Sequence, residues 1–546
     1  MKINKIFFLV LICACFAAYG AYLHNDFVLD DRVLVLENPF IKSAQFLPGV
    51  FKAGLYEYWT GPQAYDRMFR PLQMLSYYFD YRLWGLDPAG YRFTNLILHL
   101  LSAFLVFYLI FKLFKGNLLA GSCSLIFLLH PVQISSVVYI SARGDLLSGL
   151  FILSSCAAFI KFMEKEDYRF YLCGIAAAAL ALLSRENALL TLFFLMLIGF
   201  LFYRRKLKFR FWAGFIVLYA CYFLARIFAL GPGALATHPV YFTGPQKLIN
   251  FANVVFRYLL IFIWPVNLGI FHLTNFIGKL SAASLSVFAL CLALIMTAAA
   301  VCFRKLLDLP AVFKFSFFWF LIGMLPVFLY FDAYPALGKS LMAESWLYLP
   351  LLGLALPASY FLLRFKKGAL LVFAWAALLG MIVIFNSRYW KSEVPFYRRA
   401  MRFLPDDNPL QRKLAEAYLR EGELPGADEA IRNVEKYHPD SPAAISLRGD
   451  YYLAAGSPEA ARDCYRSILV KGFLTDYSMS LCYSRLGERA KAIEFGRESF
   501  RLNPFFLPNI VHLSGLYREA GDTAEAERYS VLAQRLDPKN IRGIRK

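Results

Sequence analysis

Long apolar runs, separated by short polar connections, fill the first 390 residues of the chain. A helix that spans a bilayer needs about 20 mostly apolar residues, and somewhat fewer if its ends are covered by neighbours. The windows that meet this requirement are 6–23, 96–113, 118–138, 146–162, 170–183, 188–203, 211–230, 281–303, 315–331, 347–363 and 369–385. The pattern predicts a polytopic helical bundle of about 11 spans.

A further apolar stretch, 248–265, carries Arg257 at its centre and is flanked by Gly, Pro and Asn. We expect it to be interfacial or re-entrant, because charged and irregular segments at membrane depth are tolerated only there or in cavities. A full span at this place would also invert every later loop. The basic clusters at 304–314 and 364–367 would then lie outside the cell.

The pattern changes beyond residue 390, where short amphipathic segments repeat around glycines spaced 34, 31 and 34 residues apart. The glycines are Gly422, Gly456, Gly487 and Gly521. Each has a Tyr four residues before it and an Ala five residues after it, which suits a tight turn between two closely packed helices. The register resembles tetratricopeptide repeats, which stack helix pairs into a concave surface. Binding of a peptide or partner and a role as a spacer or cap remain open.

Composition supports this division. With 59% hydrophobic and 18% charged residues, the chain has too little polar surface for a soluble globule. Its net charge of +20 comes from short Lys and Arg clusters between apolar windows, which is typical of cytoplasmic loops and not of a nucleic-acid surface. The sequence therefore predicts an all-α protein, with a membrane domain in 1–390 and an α-solenoid in 391–546.

The same clusters predict the topology. They place the N-terminus in the cytoplasm and both the loop 24–95 and the repeats outside. We expect the first apolar run to be an uncleaved signal anchor, and the absence of a sorting signal favours a bacterial inner membrane with a periplasmic repeat domain. The ten Cys form no CxxC pair, so neither a disulfide framework nor a zinc site is supported.

Two adjacent carboxylates, Asp30 and Asp31, follow the first span. Ionisable groups at the edge of a bilayer are candidates for function. A neighbouring like charge or partial burial raises a carboxylate's pKa towards neutrality, as a general base requires. The pair equally fits a solvated turn or helix cap.

Further candidates occupy the same predicted side. Arg70 is a candidate for phosphate binding, since a guanidinium binds phosphate bidentately. His99 lies one turn inside a span and fits either a catalytic or a structural histidine. His130 precedes Pro131 and breaks the third span, and broken helices at membrane depth often line cavities.

Charged residues also mark the ends of three later segments. Arg143 and Asp145 open the fourth predicted span, Arg185 and Glu186 end a short one, and Glu344 precedes another. Each set fits either a site or a simple helix-terminal charge pair. No Walker loop, GxSxG elbow, HExxH motif or dinucleotide fingerprint is present.

In order along the chain, the segments FVLDDRVLVLENPFI, HPVQISSVVYISARGDLLSGLF and LLSREN, followed by helical repeats, resemble the transmembrane and tetratricopeptide-repeat O-mannosyltransferases and their bacterial relatives. The resemblance is closest over residues 24–190. It departs from the family where Ser345 and Trp346 follow Glu344, since relatives usually have Arg there, and in having only four repeats.

That resemblance implies a GT-C glycosyltransferase. Such enzymes move a hexose, here mannose, from a polyprenyl phosphate to a hydroxyl of a protein or glycan at the non-cytoplasmic face. It implies Asp30 or Asp31 as the base, and Arg143 and Arg185 as ligands of the donor phosphate. No cofactor is required, and a divalent metal stays open. The alternatives are a non-catalytic scaffold for an envelope or secretion complex and an oligosaccharide ligase.

Overall fold

The computed structural model describes residues 2–52, 54–56, 68–231, 244–266, 268–269, 271–275, 309–329, 339–403, 408–437 and 439–538. The predicted span at 281–303 lies outside these residues. The helices up to residue 390 are α1 (Lys2–Tyr19), α2 (Pro71–Trp84), α3 (Pro88–Phe114), α4 (Asn117–Leu129), α5 (Ile134–Val137), α6 (Arg143–Lys165), α7 (Tyr168–Leu182), α8 (Thr191–Phe202), α9 (Arg210–Leu230), α10 (Gly244–Ile263), α11 (Ala311–Leu329), α12 (Leu351–Leu362) and α13 (Gly368–Asn386).

Later helices are shorter and amphipathic. They are α14 (Glu393–Met401), α15 (Asn408–Glu421), α16 (Leu424–Tyr437), α17 (Pro442–Ala454), α18 (Pro458–Arg466), α19 (Phe473–Arg485), α20 (Arg489–Leu502), α21 (Leu507–Glu519) and α22 (Thr523–Leu536). Strands β1 (Phe271–Asn275) and β2 (Lys339–Ala343) pair antiparallel, with Phe271 opposite Ala343. The all-α prediction is confirmed, with this two-stranded sheet as an addition to it.

The chain forms two compact units. The membrane unit contains Met1–His24 and Tyr91–Ser387, and the repeat unit contains Asn25–Gly90 and Arg388–Lys546. The boundary between Ser387 and Arg388 lies close to residue 391, at which the repeat domain was expected to begin. The sequence did not predict that the long loop after the first span would pack with the repeats.

Apolar helices dominate the membrane unit. Those long and apolar enough to cross a bilayer, among the residues that the structure describes, are Lys5–Tyr22, Pro88–Phe114, Ile140–Lys165, Arg210–Leu230, Ala311–Phe328 and Gly368–Trp390. The bent pair Asn117–Leu129 and Pro131–Val137 would add a seventh. Shorter apolar helices occupy 168–182, 186–202, 250–263 and 351–362. The chain is therefore a multi-pass membrane protein, while the count of 11 spans and the interfacial place of 248–265 stay predictions.

The predicted break at His130 is confirmed. Helix α4 ends at Leu129, and the next helical segment starts at Pro131 with a change of direction of 50°. Proline has no backbone N–H and disfavours the helical conformation for the residue before it, which favours a helix end at this place. His130 is accordingly extended, with φ −65° and ψ 124°.

Helices α15 to α22 form four helix pairs, as the spacing predicted. The four turn glycines have φ between 74° and 81°, a conformation that disfavours any residue with a Cβ. The Ala five residues after each glycine is 0–4% exposed, so the paired helices approach closely there. The tetratricopeptide-type prediction is confirmed.

Candidate functional site

Two uncommon backbone conformations flank the Asp pair in the repeat unit. Leu29 has φ 52°, in the left-handed region where a bulky side chain is strained. Residues Arg32–Leu36 then form a short π-helix, closed by a hydrogen bond of 2.8 Å from the Glu37 amide to the Arg32 carbonyl. Left-handed bulky residues and π-turns both concentrate at functional sites, because stability alone disfavours them.

The two carboxylates occupy different environments. Asp31 is fully buried, and its Oδ2 accepts a hydrogen bond of 3.3 Å from the Val28 amide. Asp30 is exposed. The backbone turn therefore presents Asp30 to solvent and uses Asp31 to hold the turn. The sequence could not show which of the two carboxylates is exposed, because this depends on the backbone conformation at Leu29.

Tyr56 contacts Asp30 directly. Its hydroxyl donates a hydrogen bond of 2.9 Å to Asp30 Oδ2. Burial and the Asp30 charge raise the pKa of Tyr56 well above its usual value, while the Arg70 charge opposes this rise. Asp30 and Tyr56 thus form a polar contact on which the positive charge of Arg70 also acts. Tyr56 was not predicted, and the only signal for it was the richness of this loop in Tyr and Trp.

Arg143 begins α6 in the membrane unit and is fully buried. Its Nε donates to Asn95 Oδ1 at 2.7 Å, and its Nη2 donates to the Tyr91 carbonyl at 2.8 Å. Asn95 in turn donates to the carbonyl of Val137 at 3.1 Å. Arg143 therefore joins the start of α6 to α3 and to the bent segment after α4.

Arg185 and Glu186 lie side by side between α7 and α8, and each forms an ion pair with a different helix. Arg185 bonds to Asp145 on α6, and Glu186 lies 3.6 Å from Arg226 on α9. The side chain of Arg185 is 18% exposed, whereas that of Asp145 is only 3% exposed. Arg226 was missed by sequence reasoning, although an Arg inside an apolar helix is itself a signal for function.

Both candidate histidines are fully buried in the membrane unit. The Nδ1 of His99 lies 3.1 Å from the Tyr348 hydroxyl, and its Nε2 lies 3.1 Å from the Leu128 carbonyl. His130 accepts a hydrogen bond from the Val132 amide and lies 3.1 Å from the Phe262 carbonyl through Nε2. Protein groups thus engage both ring nitrogens of each histidine, as in a structural role.

Glu344 is 2% exposed, and its Oε1 accepts a hydrogen bond of 2.7 Å from the Gly269 amide. It therefore holds the chain after α10 against the segment that follows β2. Within the described ranges, no group of three or more His, Cys, Asp or Glu is arranged to hold a metal ion.

Among the candidates, the structure brings Arg185, Glu186 and Asp145 together with Arg226 in the membrane unit. In the repeat unit it brings Asp30 together with Tyr56, and the charge of Arg70 acts on Tyr56. Arg143, His99, His130 and Glu344 are buried in separate contacts. The fold and these sites define a multi-pass membrane protein that carries polar clusters and a helical repeat unit.

Comparison with known proteins narrows this class. Protein O-mannosyl-transferase F38B6.6 of Caenorhabditis elegans is 25% identical over 444 residues, which are 79% of this chain and 62% of that protein. Protein O-mannosyl-transferase TMTC3 of Homo sapiens is 30% identical over 153 residues, which are 28% of this chain and 16% of that protein. The resemblance to the transmembrane and tetratricopeptide-repeat O-mannosyltransferases is confirmed.

The matched region is less than two thirds of either relative. No protein-family model matches the chain. Among solved structures, the crystal structure of MamA protein covers 27% of this chain and 83% of its own, with 22% identity and a TM-score of 0.22, too low for the folds to be compared.

Proposed function

We propose that this protein is a membrane glycosyltransferase that moves one hexose, mannose by resemblance, from a polyprenyl-phosphate carrier to a hydroxyl of a protein or glycan. The observation that carries the proposal is the similarity, over 79% of the chain, to a protein named as an O-mannosyl-transferase. The strained backbone at Leu29, which presents an exposed carboxylate, supports it. The basic clusters favour a site on the non-cytoplasmic face. The membrane in this proposal is the inner membrane of a bacterium.

In this proposal Asp30 is the general base. Its carboxylate takes the proton of the acceptor hydroxyl while the acceptor oxygen bonds to C1 of the hexose. The bond from C1 to the phosphate oxygen breaks, and the polyprenyl phosphate leaves with the electron pair. The product has inverted configuration at C1. The Tyr56 hydrogen bond fixes the direction of the Asp30 carboxylate, and such orientation is a large part of catalytic power.

The developing charge on the leaving phosphate needs fixed cations. Of the predicted ligands, Arg185 is the best suited, because its guanidinium is partly exposed while Arg143 is fully buried. Arg143 then serves to hold the start of α6. Arg70 adds a positive charge that acts on Tyr56, the hydrogen-bond partner of Asp30. The leaving group is already a phosphate, so the chemistry needs no redox cofactor. Loss of transfer on addition of a chelator would show that a divalent metal takes part.

The repeats are proposed to hold the acceptor, since stacked helix pairs present a concave surface to extended ligands. Their exposed, mixed-charge helices suit a polypeptide and not a lipid. The four repeats are few, so the surface accommodates a short stretch of acceptor.

The decisive assay uses the purified full-length protein in lipid nanodiscs with radiolabelled synthetic polyprenyl-phosphate hexoses and a cell extract as acceptor. Transfer of label by the native protein, and its loss in Asp30→Asn, would support the proposal. Asp87→Asn is the matched control, because Asp87 is exposed in the same segment and its side-chain Oδ1 accepts a hydrogen bond of 2.9 Å from the nearby Ala89 amide, which Asn can also accept.

Three outcomes separate the alternatives. Addition of one hexose mass to the acceptor supports the proposed transfer. Addition of a whole glycan would assign an oligosaccharide ligase. No transfer with any donor, from a protein shown to be folded, would assign a non-catalytic scaffold.

A further inference from the structure

The segment 26–46 contacts both ends of the helical array in the repeat unit. The amide of Asp26 donates a hydrogen bond of 2.9 Å to the carbonyl of Lys391, just before α14. At the other end, Lys42 Nζ lies 2.8 Å from Asp537 Oδ2, directly after α22. The segment that carries Asp30 and Asp31 therefore links the beginning of the array to its end.

The Asp537 carboxylate is buried, and each of its two oxygens has a partner. The side chains of Lys42 and Asp537 are 4% and 1% exposed. The second carboxylate oxygen, Oδ1, accepts a hydrogen bond of 2.8 Å from the hydroxyl of Tyr81, which is itself buried. A buried pair with both oxygens satisfied gives one defined geometry, because removing either partner leaves a charge in a medium that solvates it poorly.

Apolar side chains of the same segment also pack on the last repeat. Phe40 and Phe46 contact Phe505 edge to face, with ring centroids 5.4 and 6.2 Å apart. Phe46 also packs on the core of the last repeat, which includes Ile510 and Leu513. A terminal repeat exposes an apolar face that must be covered. Here residues of the 25–90 segment cover it.

Buried side chains and local hydrogen bonds lie along the chain between the Asp pair and Lys42. Asn38 is fully buried, its Nδ2 donates to the Leu34 carbonyl at 3.2 Å, and its Oδ1 accepts from the Phe40 amide at 2.9 Å. Leu34 and Ile41 are also fully buried. Close packing leaves the segment few independent movements, and along this route we expect a shift at Lys42 to reach Asp31 and Asp30.

We propose that Asp537 is a positioning residue: through Lys42 and Tyr81, the last repeat sets the place of the proposed base Asp30, so that the repeat array takes part in the reaction and does not only bind the acceptor. An acceptor that alters the curvature of the array then alters the position of Asp30. This inference rests on the proposed function for its catalytic part.

The test measures two quantities on the full-length protein. Hydrogen exchange of the peptide 28–42 reports the order of the segment, and kcat and KM for the acceptor report the reaction. In Asp537→Asn we expect exchange in 28–42 to rise about tenfold and kcat to fall about tenfold. The reversed pair Lys42→Asp with Asp537→Lys should restore both quantities to within about threefold of the native protein.

Asp167→Asn is the matched control, because Asp167 pairs with the exposed Arg169 in the membrane unit and not in the repeats, and both quantities should stay unchanged. If Asp537→Asn does not fold, Tyr81→Phe removes a single hydrogen bond and should raise exchange in 28–42 by a smaller factor. Unchanged exchange in 28–42, or an unchanged kcat, in a folded variant overturns the proposal. If the native protein transfers no hexose, the proposed function fails, while the exchange result still decides whether Asp537 orders the segment.

Discussion

The hydroxyl of Tyr56 donates a hydrogen bond of 2.9 Å to Oδ2 of Asp30. These residues are 26 positions apart in the chain, and Tyr56 approaches the one carboxylate of the Asp pair that is exposed. The contact gives the proposed base a fixed direction.

Tyr56→Phe removes this hydrogen bond and keeps the aromatic ring. A hydrogen bond to a charged group is worth about 1.5–3 kcal/mol, so we expect kcat for transfer to fall about tenfold or more while the protein stays folded. Tyr437→Phe is the control, because Tyr437 is 53% exposed on α16. Equal kcat in both variants would remove Tyr56 from the site.

Arg143 and Arg185 should differ in what their loss affects. Arg143→Gln removes the guanidinium that joins Asn95 and Tyr91 in the interior, so the thermal stability of the membrane unit should fall, by about 3 kcal/mol in unfolding free energy. Arg185→Gln should instead lower transfer about a hundredfold, because a cation beside the leaving phosphate is lost.

The measurement pairs a melting curve in detergent with the transfer assay for each variant. Arg185→Gln also deprives Asp145 of its Arg185 partner, so Asp145→Asn with Arg185→Gln separates that structural effect from catalysis. Should the double variant recover transfer, Arg185 would have only a structural role.

Leu29 should respond to the shape of its replacement. Its φ of 52° strains any residue with a Cβ, and β-branched residues more than others. Leu29→Val should lower the free energy of unfolding of the repeat unit by about 1–2 kcal/mol, whereas Leu29→Gly should leave it equal or slightly higher. Chemical denaturation, monitored by hydrogen exchange in the repeat unit, checks this order of stability. A Val variant as stable as the native protein would show that Leu29 is not strained.

Asp450 on α17 gives the repeat unit a pH-dependent stability. Burial raises its pKa from 3.8 to about 6, against the effect of a hydrogen bond of 2.5 Å from the Tyr465 hydroxyl. The folded state therefore holds this proton more tightly than the unfolded state. The resulting stability is fully present below about pH 4 and is lost as the pH rises through about 6, a decrease of about 2–3 kcal/mol at most.

Asp450→Asn should remove this decrease. The measurement is the free energy of unfolding of the repeat unit at pH 4.5 and 7.5, in the variant and in the native protein. The two proteins are compared because other titrating groups contribute equally to both. A variant that loses as much stability as the native protein between these pH values would contradict the shift.

Local signals predicted the elements of the fold. The glycine, tyrosine and alanine register gives each repeat its turn and helix contact, and Pro131 breaks the helix before it for reasons confined to two residues. Apolar length alone identified the spans that the structure describes. Arg226 could have been found in the same way, as a charge within an apolar helix.

The features that the sequence did not predict depend on contacts between residues far apart in the chain or on unusual backbone conformations. Lys42 and Asp537 are 495 positions apart, and nothing near either residue marks the other as its partner. The different environments of Asp30 and Asp31 follow from the left-handed Leu29 and the π-helix after it, and neither conformation has a local sequence signature. The same holds for the packing of 25–90 with the repeats.

The measurement that tests the central claim most directly is single-turnover hexose transfer by Asp30→Asn compared with Asp31→Asn. If Asp30 is the base, Asp30→Asn should lose about a thousandfold or more in rate with its melting temperature unchanged. Asp31→Asn should lower the melting temperature and retain most of the transfer rate at a temperature where it is folded. Transfer at the native rate by a folded Asp30→Asn protein would contradict the account.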